Sequence, residues 1–213
     1  MGTRNLTMVI ANGETKVAQY GQWDGYPEGQ GAVALNFLIN NDLVEFKHKL
    51  NSVKFVNGAK EKEIQNWLNS MGCENGWMNG EQADEYKKRY PLLSRDNGAD
   101  ILQMIMDSTE EINWVNDSSE FAGDSLFCEW AYVIDLDKNT FEVYEGFNNK
   151  PLTIEDRFYY LTAEADKENQ RRKDYGSDSM YYPVKMIKSY NLNDLPLEAE
   201  FINHFKNLQE IED

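Results

Sequence analysis

Residues 20–31, which we call the glycine loop, hold the densest group of side chains able to do chemistry in this sequence. Trp23, Asp24 and Tyr26 supply a stacking surface, a carboxylate and a phenol. Four glycines allow positive φ values or the close approach of another group, and Pro27 fixes one φ angle. With Arg4 available for ion pairing, such a set could bind an anionic or amide ligand.

The glycine loop has a second interpretation, in which it is only a tightly packed turn between a hairpin and a helix. Arg4 shares the strand parity of the apolar Leu6 and Met8. Its guanidinium therefore either faces the core and pairs with a carboxylate, for which Asp24 is the candidate, or is solvated because the strand starts later. These alternatives stay open. The residues assigned to the ligand-binding or structural role are Arg4, Trp23, Asp24, Tyr26, Gly29 and Gly31.

We predict no catalytic residues, metal ligands or cofactors. The glycine loop matches neither of the phosphate-binding patterns G-x-x-x-x-G-K-[ST] and G-x-G-x-x-G. The only cysteines, Cys73 and Cys128, and the only histidines, His48 and His204, have no zinc-ligand spacing. Two cysteines in a chain without a secretory segment predict buried, reduced thiols and a cytoplasmic location.

The charge balance is the most informative bulk property. The chain has 37 acidic and 21 Lys or Arg residues, a formal net charge of -16 and an isoelectric point near 4.5. Phosphate backbones and anionic membranes would repel such a protein, so we expect no direct nucleic-acid partner and no membrane partner. A basic protein partner is expected instead, with simple solubility as the alternative reason for the charge.

The hydrophobic pattern predicts an α+β fold with an antiparallel sheet built from hairpins and packed with several helices. Alternating apolar residues place one hairpin at about 3–11/15–20 and a second, apolar on both faces and therefore central, at 129–137/140–146. A further strand is predicted near 184–189. A helix is expected to begin at the end of the glycine loop and run from 30 to 40.

Length and composition favour a single domain, 1–213, with an exposed charged excursion or mobile loop at 166–179. Gly98 precedes a predicted helix and indicates a backbone packed close to another element, with the glycine loop as the candidate. Trp77, in a turn-rich stretch at 73–80, is expected to cap a core edge.

Three acidic residues, Asp135, Asp137 and Glu142, come together across the turn of the second hairpin. A hard cation is conceivable there. Because the EF-hand spacing is absent, roles at the turn and the strand edge are favoured over a calcium site.

The sequence resembles a family of largely uncharacterised phage and prophage proteins with scattered eukaryotic relatives. The resemblance lies in the opening Gly-Thr-Arg at 2–4, in Trp-Asp-Gly-Tyr-Pro at 23–27 and in Tyr-Val-Ile-Asp-Leu-Asp at 132–137, and it covers about half the chain. It implies a protein acting in the cytoplasm of an infected or lysogenic bacterium, and it carries over no catalytic residues.

Two functions remain in competition at this point. The first is an acidic accessory protein that binds and inhibits a basic host nucleic-acid-binding defence protein, of the anti-CRISPR or anti-restriction type, with nucleic-acid mimicry as one mode of inhibition. The second is a small-ligand-binding protein or hydrolase-like enzyme with its site at residues 23–31. The sequence does not define the oligomeric state.

Overall fold

The computed structural model describes residues 2–73 and 77–212, with side chains as far as residue 207. The fold is α+β, as predicted. The strands are β1 (Asn5–Ala11), β2 (Glu14–Gly21), β3 (Val53–Phe55), β4 (Asn113–Val115), β5 (Trp130–Asp135), β6 (Thr140–Glu145) and β7 (Lys185–Asn191). The helices are α1 (Ala32–Asn40), α2 (Leu43–Lys49), α3 (Gly58–Ser70), α4 (Gly80–Arg89), α5 (Ile101–Asp107), α6 (Thr162–Asp174) and α7 (Glu198–Glu212).

The main sheet has five strands in the order β2-β1-β5-β6-β7. Both predicted hairpins and the predicted third strand are present, and β5 lies at the centre, as its two apolar faces indicated. The sheet is mostly antiparallel, but β1 and β5 pair in parallel. Each hairpin is set by its local turn, whereas the junction between hairpins is a long-range contact with no local sequence signal.

Each face of the main sheet is covered by its own layer. Tyr132 and Ile134 of β5 point into the larger core, which includes residues of α1, α5 and α7. The alternate residues Ala131 and Val133 face a second core, formed with Phe158 and other residues from the segment after β6. Period-two alternation explains this division, because successive strand side chains point to opposite faces.

A third apolar cluster lies beside this sheet. It joins α3 and α4 through Ile64, Leu68 and Tyr90, and Trp114 of β4 packs against it. Strands β3 and β4 form a separate parallel pair. None of the described helices is both long enough and apolar enough to cross a bilayer.

Two local predictions need correction. The charged excursion at 166–179 is helical as far as Asp174, within α6, because its Glu, Lys, Gln and Arg residues favour helix. Most of this segment is exposed, but Asn169 is buried and anchors the helix through hydrogen bonds to the backbone of Tyr181. Trp77 is 83% exposed and caps no core edge. Residues 74–76 of its predicted turn-rich stretch lie outside the described residues.

Candidate functional site

The glycine loop leaves β2 and is closed by its own backbone. Asp24 adopts a left-handed conformation, with φ 54°, and its carbonyl accepts a hydrogen bond of 2.8 Å from the amide of Gln30. The Gly25 amide donates to the Thr3 carbonyl at 2.9 Å, which ties the loop to the start of β1. Residues Pro27–Gly31 form one π-helical turn that leads directly into α1. The loop is therefore a rigid connection between strand and helix.

Close packing explains the glycines of this loop. A Cβ atom on Gly29 would collide with the carbonyl oxygen of Asp24, and one on Gly31 would come within 2.8 Å of the Tyr132 ring. The Tyr132 hydroxyl in turn donates to the Gly25 carbonyl at 2.7 Å. Gly29 and Gly31 thus have a structural role.

A second loop packs against the glycine loop, as Gly98 indicated. Gly98 has φ 49°, and a Cβ atom there would collide with the side chain of Gln30. The Gln30 side chain accepts a hydrogen bond from the amide of Ala99. The two glycine-marked loops therefore support each other at the start of α1.

Arg4 does not pair with Asp24. Its carboxylate partner is Glu129, with Nε and Oε1 4.0 Å apart, and its guanidinium lies 4.5 Å from the ring centre of Phe127. The parallel register that pairs Asn5 with Trp130 brings residue 129 beside residue 4, so the partner comes from a long-range contact. Asp24 is exposed, and no ion pair involving it is found in ranges 2–73 and 77–207.

Four exposed aromatic residues gather at the end of the sheet where the glycine loop begins. Pairing across β2, β1, β5 and β6 aligns Gly21, Asn5, Trp130 and Glu145 in one row. Trp23, Phe127 and Phe147 lie on the segments that extend β2, β5 and β6 beyond this row, and Tyr26 follows Trp23 in the glycine loop. We call this set the aromatic end: Trp23, Tyr26, Phe127 and Phe147, exposed by 53, 45, 40 and 53%.

The aromatic end is compact and built on rigid elements. Three strand spacings separate β2 from β6, which is about 15 Å. Trp23 stands two residues beyond the aligned row on β2, and Phe147 stands two residues beyond it on β6. The backbone segments that carry Trp23, Phe127 and Phe147 therefore fall within the width of one protein interface.

Phe147 has an unusual backbone conformation that sequence patterns did not reveal. Its φ is 50°, a rare conformation for a bulky residue, and its amide donates to the Ser125 carbonyl at 2.7 Å. This holds a large apolar side chain in solvent at a conformational cost. Strained residues of this kind concentrate at functional sites. Only the strand register, which is known from the structure, connects Phe147 with Trp23.

Carboxylates lie next to the aromatic end. Asp24 and Glu28 are exposed and flank Trp23 and Tyr26 in the sequence, and Glu129 pairs with Arg4, whose guanidinium lies over the Phe127 ring. An apolar centre with charged residues around it is the usual anatomy of a protein interface.

A buried polar layer lies beneath the glycine loop. Thr7 of β1 is the register neighbour of both Gln19 and Tyr132, so these side chains share one face of the sheet. Oxygens of Asn5, Thr7 and Gln19 have no hydrogen-bond partner among the described residues, although each residue is at most 2% exposed. Buried water molecules usually bind polar groups that have no other hydrogen-bond partner, so water is expected beside these three oxygens.

The acidic group of the second hairpin is an ion network, and its cation is Arg157, which sequence reasoning missed. Its Nη2 lies 2.8 Å from Asp135 Oδ2 and 2.7 Å from Glu142 Oε1. Tyr144 donates its hydroxyl hydrogen to Glu142 at 2.6 Å. Burial by itself would raise the pKa of the Glu142 carboxyl, but hydrogen bonds from Arg157 and Tyr144 hold it below its usual value.

Asp137 has a different role, at the turn itself. It accepts hydrogen bonds from Lys47 Nζ and from the Gly13 amide, both at 2.8 Å, and these contacts lower its pKa to about 2. Within ranges 2–73 and 77–207, no group of three or more His, Cys, Asp or Glu side chains is arranged to hold a metal ion. Both cysteines are buried, as predicted.

Comparisons with protein-family models, with curated proteins and with solved structures found no match for this chain. The aromatic end and the charge of the molecule are therefore the features that bear on function.

Proposed function

We propose that this protein is a phage- or prophage-encoded accessory protein that binds and inhibits a basic, nucleic-acid-binding host defence protein, of the anti-CRISPR or anti-restriction type. It acts in the cytoplasm of the infected or lysogenic bacterium. The observation that carries the proposal is the aromatic end, with four exposed rings at one end of a rigid sheet in a chain of net charge -16.

The chemistry of the aromatic end favours a protein partner. Exposed tryptophan, tyrosine and phenylalanine are the residues that most often act as anchors when an interface desolvates them. Here they are held by closed loops, so binding would require little ordering of the backbone.

Charge selects the class of partner. Asp24 and Glu28 lie beside the rings, and the overall charge would steer a basic surface toward the protein and repel acidic ones. A nuclease presents such a basic surface where nucleic acid binds. The carboxylates would then occupy positions that phosphates take in the nuclease complex with DNA.

The test is an inhibition assay on purified CRISPR-associated nucleases and restriction endonucleases, read out as plasmid cleavage. We expect the native protein to inhibit at least one enzyme, and the double variant Trp23→Ala/Phe147→Ala to lose most of that inhibition. Tyr175→Ala is the matched control, because Tyr175 is 91% exposed and lies in the turn after α6. Inhibition that is equal in all three proteins would contradict the proposal.

The buried polar layer favours a second candidate function, a small-ligand-binding protein or hydrolase-like enzyme with its site at residues 23–31. The unpartnered oxygens of Asn5, Thr7 and Gln19 are buried acceptors that a ligand could use once the loop opens. Native mass spectrometry of the purified protein tests this candidate. A bound small molecule that is lost on Thr7→Val supports it, and a protein of the sequence mass alone argues against it.

A further inference from the structure

A groove of about 770 Å³ lies on the second face of the molecule, between α6 and the turn at residues 119–123. Its walls include Arg172 and Glu168 of α6, with Asp124, Tyr160 and Tyr181. This volume is in the range of small-molecule sites. None of these residues belongs to the aromatic end.

Arg172 is the unusual member of this groove. Its guanidinium has no hydrogen-bond or ion-pair partner in ranges 2–73 and 77–207, and its Nε atom is shielded from solvent. The neighbouring Arg171, in contrast, contacts Glu168 at 3.1 Å. The Arg172 guanidinium instead lies 5.3 Å from the ring centre of Tyr181. A half-buried guanidinium with no anion in direct contact, in so acidic a chain, is available for an anionic ligand group.

The groove also offers carboxylates to a cationic ligand group. Glu164 and Glu168 are paired with Lys167 and Arg171. Asp124 and Glu120 have no cation within 4.0 Å among the described side chains. Asp124 is partly buried, and this burial raises the pKa of its carboxyl against the opposing charge of Arg172.

We propose that this groove binds a small zwitterion of the amino-acid or short-peptide type. The ligand carboxylate pairs with the Arg172 guanidinium, whose planar fork matches a carboxylate. The ligand ammonium lies against Asp124 and Glu120, and its side chain packs on Tyr160 or Tyr181. The wall carboxylates disfavour a phosphate dianion, which carries two negative charges and no compensating cation.

The test uses glycyl-tyrosine as the probe in isothermal titration calorimetry. Three comparison ligands accompany it: glycyl-tyrosinamide, which lacks the carboxylate, N-acetyl-glycyl-tyrosine, which lacks the ammonium, and inorganic phosphate. We expect glycyl-tyrosine to bind best, and loss of either charged end to weaken binding by about tenfold or more.

Two variants of α6 separate recognition from general charge. Arg172→Gln and Lys173→Gln each remove one positive charge, but Lys173 is not part of the groove wall. We expect only Arg172→Gln to lose glycyl-tyrosine binding. If Arg172→Gln does not fold, Arg172→Lys replaces it in the test, because it keeps the positive charge and removes the planar guanidinium. Absent binding of glycyl-tyrosine, equal binding by native protein and Arg172 variant, or tighter binding of phosphate would each overturn the proposal.

Discussion

At the scale of single residues, the structure separates side chains that hold the fold from exposed side chains that the proposed function assigns to a partner. Arg157 belongs to the first group. Its side chain is 16% exposed and holds Asp135 and Glu142, which are 2 and 8% exposed. Breaking a buried pair leaves charges without compensation, which costs more than the pair itself contributes.

We expect Arg157→Met to lower the free energy of unfolding by about 3 kcal/mol, since two buried carboxylates lose their cation. Urea denaturation at neutral pH measures this. Arg171→Met is the control, because the Arg171–Glu168 pair is exposed and should contribute less than about 1 kcal/mol. An equal effect of the two substitutions would show that Arg157 is not a structural cation.

The native protein and the Arg157→Met variant should respond differently to pH. In the native protein the pKa values of Asp135 and Glu142 are lowered, so their stabilising contribution is present at neutral pH and is lost as the pH falls through those lowered values. In Arg157→Met, burial without a cation raises both pKa values, and protonation relieves the penalty earlier. The stability difference between the two proteins should therefore shrink as the pH falls from neutral into the range where these carboxyl groups take up protons. A difference that is constant with pH would contradict this explanation.

Asp24 belongs to the exposed side chains, because it is open to solvent and its carboxylate does not pair with Arg4. Asparagine tolerates the same left-handed backbone, so Asp24→Asn removes the charge and keeps the shape. We expect its thermal stability to stay within about 0.5 kcal/mol of the native value while binding to a basic partner weakens. Loss of stability without loss of binding would show that the Asp24 carboxylate holds the glycine loop and does not take part in binding.

At the scale of elements, the glycine loop positions both the start of α1 and the aromatic residues Trp23 and Tyr26. The loop is closed by the Gln30–Asp24 and Gly25–Thr3 backbone bonds and is packed on Tyr132. Gly29 is the position with least space, since any Cβ atom meets the Asp24 carbonyl.

Gly29→Ala should lower the free energy of unfolding by about 2 kcal/mol, because the loop must open to admit the methyl group. Gly58→Ala at the start of α3 is the matched control, since a Cβ atom there meets nothing within 4 Å. Its stability should be unchanged or slightly raised. Thermal denaturation of both variants checks this, and an unaffected Gly29→Ala would mean that the loop is not closed as described.

The sequence predicted the elements better than their assembly. Alternating apolar residues and turn residues located both hairpins, and Gly98 indicated its contact with the glycine loop. The parallel pairing of β1 with β5 was not predictable, because it joins residues more than a hundred positions apart without a local signal. The Arg4–Glu129 pair and the placement of Phe147 near Trp23 depend on that pairing. Arg157 instead reaches Asp135 and Glu142 from the turn-rich segment after β6, where no strand or helix pattern indicates its position. The candidate site was therefore predicted on its glycine-loop side alone.

At the scale of the whole molecule, charge and shape point to the same kind of partner. A net charge of -16 lowers affinity for nucleic acid and raises association rates with basic proteins. The aromatic end adds the apolar anchors that charge alone does not supply. Binding should therefore combine a salt-dependent part, from long-range attraction, with a salt-resistant part, from the buried rings.

The most direct test of this account is the dissociation constant for a nuclease that the protein inhibits, measured from about 50 to about 500 mM salt. The account predicts weaker binding of the native protein at higher salt. It also predicts a loss of about 2 kcal/mol or more at every salt concentration for Trp23→Ala/Phe147→Ala, with Tyr175→Ala unchanged. Binding that is independent of salt and equal in all three proteins would contradict the account.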